Sequence, residues 1–115
     1  GAGASSPRSP GLLGRHYAPR ARVVLARDPS TVSDQIRSLT SQGKRAAFLT
    51  FAPPPPESAC EVVFMPREPG AYARALYDVL MRLDRAGIDT IVVEEPPDEP
   101  AWEAINDRLR RAALG

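Results

Sequence analysis

Four short apolar runs, Val23–Ala26, Ala46–Phe51, Glu61–Met65 and Ile88–Val93, alternate with stretches whose apolar residues recur every three or four positions. This alternation constrains the fold more than any other feature of the chain. Continuous apolar runs of four to six residues are strands covered on both faces, and the covers are the amphipathic helices between them. Val32, Ile36 and Leu39 share one helical face, with Gly43 as the stop. Asp28-Pro29 has the form of that helix's start, a carboxylate at the N-cap and proline in the first turn. Ala73, Leu76, Tyr77, Leu80 and Leu83 make a second helix that ends at Gly87. Trp102, Ile105, Leu109 and Ala112 make a third, with Asp98 as its expected cap. Arg108, Arg110 and Arg111 lie off that stripe, where cations complement a helix C-terminus. The predicted order is β-α-β-β-α-β-α: an α/β domain with a mainly parallel sheet of about four strands and three helices. Pro53–Pro56 bars a helix between the second and third strands, so that connection is a loop or an irregular crossover.

Composition excludes several functions. The 115 residues suffice for one domain with a modest core. No apolar run approaches the roughly 20 residues of a membrane span, and the N-terminus has no apolar leader core. The one cysteine, Cys60, forms no internal disulfide, and one cysteine with one histidine does not suggest a zinc site. A cytoplasmic setting is the expectation. The net charge of +1 conceals an asymmetry: residues 1–27 carry five arginines and no acidic group, whereas residues 28–115 carry ten basic and fourteen acidic groups. Residues 1–22 are rich in glycine, proline and serine, a linker and not a core.

The α/β body lacks the usual signs of a nucleotide site. No G-x-G-x-x-G follows the first strand, and there is no phosphate-loop pattern. Asp28 reads as a cap. Glu94-Glu95 reads as a solvated strand end, with no nucleophile beside it. Cys60 reads as an inert thiol far in sequence from the only histidine, and Trp102, Tyr72 and Tyr77 read as core. One segment differs. Ser9–Pro19, SPGLLGRHYAP, gathers a turn, a cation, the histidine and a phenol where no core forms. Arg15, His16 and Tyr17 there make a candidate anion-binding arm.

That segment resembles the linker motif S/A-P-G-M-K-Y-R/K-H-Y-A/S-P of the two-domain, yeast-type L-threonylcarbamoyladenylate synthases. Leu76–Gly87, LYDVLMRLDRAG, resembles the family helix L-Y-x-x-L-R-x-L-D-x-x-G, and Ala104–Ala113, AINDRLRRAA, its closing signature A-I-x-D/N-R-L-x-K/R-A. The three matches stand in the family's order from Ser9 to the end of the chain. Leu12, Leu13 and Gly14 depart from the common methionine, lysine and tyrosine, so only the second half of the motif is intact.

The resemblance implies a small Rossmann-like, three-layer accessory domain over 23–115, an interdomain linker over 1–22, and a YrdC-type catalytic domain that this chain does not contain. The whole enzyme would make threonylcarbamoyl-AMP from threonine, bicarbonate or CO2, and ATP with magnesium, releasing pyrophosphate for use of the product in tRNA modification. The linker would gate the nucleotide site. Arg15 would meet phosphate or pyrophosphate, His16 and Tyr17 would donate hydrogen bonds, and Pro10, Gly11 and Pro19 would shape the loop. The fragment alone would be inactive, with no catalytic residue, metal or cofactor of its own and no direct contact with nucleic acid or membrane. The competing expectation is a free-standing Rossmann-like module that binds a nucleotide or a protein.

Overall fold

The computed structural model describes residues 20–51 and 61–114. The expected order of elements is present. Strand β1 is Arg22–Ala26, β2 Ala46–Thr50, β3 Glu61–Phe64 and β4 Thr90–Glu94. Helix α1 is Val32–Ser41, α2 Pro69–Arg85 and α3 Glu103–Leu114. Every pairing is parallel, and the sheet order is β1-β4-β2-β3. The two most deeply buried strands are the two inner ones: Ala47, Leu49, Ile91, Val92 and Val93 are at most 1% exposed.

Side chains alternate across the sheet and build two cores. On one face Val23, Ala47, Leu49, Ile91 and Val93 meet Leu76, Leu80 and Leu83 of α2 and Trp102, Ile105 and Leu109 near and in α3. On the other face Ala26, Ala46, Phe48 and Val92 meet Val32 and Ile36 of α1. The result is three layers, with two helices on one face and one on the other.

Both glycine stops end their helices by the same device. The Gly43 N–H donates to the Thr40 carbonyl and the Lys44 N–H to the Leu39 carbonyl. The Gly87 N–H donates to the Asp84 carbonyl and the Ile88 N–H to the Leu83 carbonyl. This pair of bonds needs a left-handed residue after the helix, and φ is +78° at Gly43 and +81° at Gly87. Helix α2 begins earlier than its apolar stripe. The Glu68 carboxylate accepts from the N–H groups of Gly70 (2.9 Å) and Ala71 (2.8 Å), and Pro69 occupies the first helical position.

Several expectations are corrected. Asp28 caps a short 3-10 turn, Pro29–Thr31, that precedes α1; its carboxylate accepts from the Ser30 N–H. Asp98 is not the cap of α3. The chain enters through a 3-10 turn, Pro100–Trp102, because proline holds the residue before it extended, here Glu99 at φ −134° and ψ 153°. Tyr72 is core, but Tyr77 is only half-buried. Of the two forms expected for the β2–β3 connection, a loop or an irregular crossover, the parallel pairing of its two strands makes it a crossover. Its proline run and Cys60 lie outside the described residues.

The two glycine stops separate two costs. Gly43→Ala meets no atom within 4 Å, so it carries only the left-handed penalty, about 1–2 kcal/mol. At Gly87 the new methyl sits 3.1 Å from an Arg45 nitrogen, and that guanidinium donates to the Ala86 carbonyl. Urea unfolding is expected to rank Gly87→Ala as the more destabilised variant. The cap on α2 has a pH signature. Its two N–H donors hold the Glu68 carboxyl below the ordinary value of 4.5, so its stabilisation is present above that pH and is lost as acid protonates it in the native state. Glu68→Ala is therefore expected to unfold more easily than the parent at pH 7. The gap should close on acidification below pH 4.5 in parallel thermal melts.

Candidate functional site

Arg15, His16, Tyr17, Pro10, Gly11 and Pro19 all lie outside the described residues. Arg20, the first described residue, stands where their segment joins the domain, and that junction is tightly held. One oxygen of Asp84, in the last turn of α2, accepts from the backbone N–H of Arg20 (2.9 Å) and of Ala21 (3.3 Å). The other oxygen stands 3.7 Å from the Arg20 guanidinium nitrogen. The Asp84 side chain is only 12% exposed, so these bonds are shielded from water, whereas Arg20 reaches into solvent. Ala21 is buried and packs with the larger core. Arg22 then starts β1, its N–H donating to the Asp89 carbonyl at 2.9 Å. The Asp89 carboxylate accepts from the Arg45 N–H at 2.8 Å. Two aspartates thus tie the amino edge of the sheet together. The helix motif ending in L-D-x-x-G acquires a structural meaning: its leucines are core, Asp84 holds the root of the arm, and Gly87 turns the chain into β4.

At the carboxyl edge, where open α/β sheets commonly bind ligands, the polar groups are occupied. The Glu94 carboxylate accepts from the Thr50 hydroxyl (2.7 Å) and the Phe51 N–H (3.0 Å). It is a bonded clamp between the ends of β4 and β2, and not the solvated strand end expected from sequence. Glu95 donates its N–H to the Ala26 carbonyl and faces Arg27 at 4.0 Å. Phe51, Tyr72 and Trp102 form a ring cluster with centroids 5.3–6.0 Å apart. Arg67 lies over Phe51 and donates to its carbonyl. The Tyr72 hydroxyl has no hydrogen-bond partner, and burial, then the Glu94 charge, push its pKa up. Among the described residues no three His, Cys, Asp or Glu side chains are grouped to hold a metal. No described helix is long and apolar enough to cross a membrane.

A third feature had no signal in the sequence. One helix spans about 10 Å, the width of two strands, and α1 lies over β4 and β2. On the α1 side of edge strand β1, Ala26 packs against α1, whereas Val24 is only partly covered. The resulting groove has a volume of about 380 Å³. Its apolar floor is Val24, Val92 and Leu39; Arg22 and Lys44 stand on its rim. The side-chain carbonyl of Gln35, also in the lining, is buried without a partner.

Comparison with known proteins places this geometry. The family model "Threonylcarbamoyl-AMP synthase, C-terminal domain", Sua5_C, matches residues 2–114. The chain is 27% identical over 118 aligned residues to the threonylcarbamoyl-AMP synthase of Pyrococcus abyssi, covering 98% of this chain and 34% of that protein. It is 30% identical over 113 aligned residues to the Bacillus subtilis enzyme of the same name, covering 95% and 33%. The chain therefore spans about a third of the length of the curated relatives it matches. The crystal structure of P. abyssi Sua5 complexed with L-threonine superposes with a TM-score of 0.72 at 27% identity, over 85% of this chain and 29% of that one. A P. abyssi Sua5 variant with a consecutive histidine and tyrosine replaced by alanine gives 0.71 at 26%, over 84% and 28%. The C-terminal Sua5 domain from Pyrococcus horikoshii gives 0.64 at 19%, over 85% and 94%, a likeness of fold. The parallel three-layer fold and the match along nearly the whole chain make this protein a member of the family of threonylcarbamoyl-AMP synthase C-terminal domains.

Proposed function

We propose that this chain is the accessory part of a threonylcarbamoyl-AMP synthase and that its N-terminal arm serves the catalytic site of a preceding YrdC-type domain. The whole enzyme would join threonine, bicarbonate or CO2, and ATP into threonylcarbamoyl-AMP, release pyrophosphate, and feed tRNA modification in the cytoplasm. ATP and its magnesium are assigned to the preceding domain. The observation that carries the arm's role is the Asp84 clasp. A segment meant only as a tether needs no fixed exit, yet two backbone N–H groups and a guanidinium are held by one shielded carboxylate. A fixed root limits the volume that Arg15, His16 and Tyr17 explore, which raises their effective concentration over one site. Arg15 would pair with phosphate or leaving pyrophosphate, and His16 and Tyr17 would donate hydrogen bonds and exclude water. In support, a histidine–tyrosine pair was replaced in the P. abyssi variant, and His16-Tyr17 is the one such pair here.

The test is pyrophosphate release by the full-length enzyme. His16→Ala and Tyr17→Ala are expected to lower kcat about 10- to 100-fold, the range for a misplaced closing element. Asp84→Ala should give a smaller loss in the same direction. Wild-type rates in all three would overturn the proposal. Submillimolar ATP binding by this chain alone, read by calorimetry, would favour the nucleotide-module alternative.

A further inference from the structure

No further inference is drawn: the strongest candidate, the apolar patch of Val62 and Phe64 on the α1 side of edge strand β3, where Phe64 is 58% exposed, is an unpartnered face, and nothing in the structure shows what covers it.

Discussion

The sheet depends on one strand. β1 and β2 share no ladder; each pairs with β4, which is the last strand in the chain. Until Thr90–Glu94 is inserted, the first strand has no partner at all, and the closing contacts join residues 68 positions apart, such as Arg22 and Thr90. Ordering a chain of that length before its contacts form is slow and unfavourable, and is offset only when the apolar row on both faces of β4 becomes buried. This fits the burial of β4, in which Thr90, Ile91, Val92 and Val93 are all buried, and the close setting of its entry. Gly87 turns the chain, Ile88 packs behind it, and Asp89 bonds the starts of β1 and β2 at once.

The same insertion positions what lies at the amino edge. Helix α2 delivers the chain to β4, so its last turn stands beside the start of β1, and Asp84 can reach the backbone where the arm begins. The residues that terminate α2 therefore serve the core, the strand order and the arm's exit together. The carboxyl edge is different in kind. There Glu94 is consumed by Thr50 and Phe51, and an aromatic cluster fills the space above the inner strands. The open groove is at the other end, where a single helix cannot cover four strands.

Strand and helix order were legible because burial on both faces removes polar alternation, and because Gly43 and Gly87 mark the only left-handed turns in the described chain. Asp98 misled because a side-chain oxygen before an apolar stripe is a local signal, while Pro100 acts on the residue preceding it and moves the start of the turn. Glu94 misled for the opposite reason. Adjacent glutamates at a strand end look solvated in one dimension, and only the parallel neighbour β2 supplies the hydroxyl and N–H that bind one of them.

Periodicity, glycine and proline were local instructions, sufficient to determine the parallel α/β class, the three helices and the two αL helix ends. Three short motifs were sufficient to assign the family. Strand order, the Asp84 clasp on Arg20 and Ala21, and the groove beside β1 were decided only in three dimensions. Each joins residues that no spacing rule connects. An aspartate that reads as ordinary helix polarity becomes an anchor when the first strand is brought beside it, and a half-covered strand face exists only once α1 has settled on its neighbours.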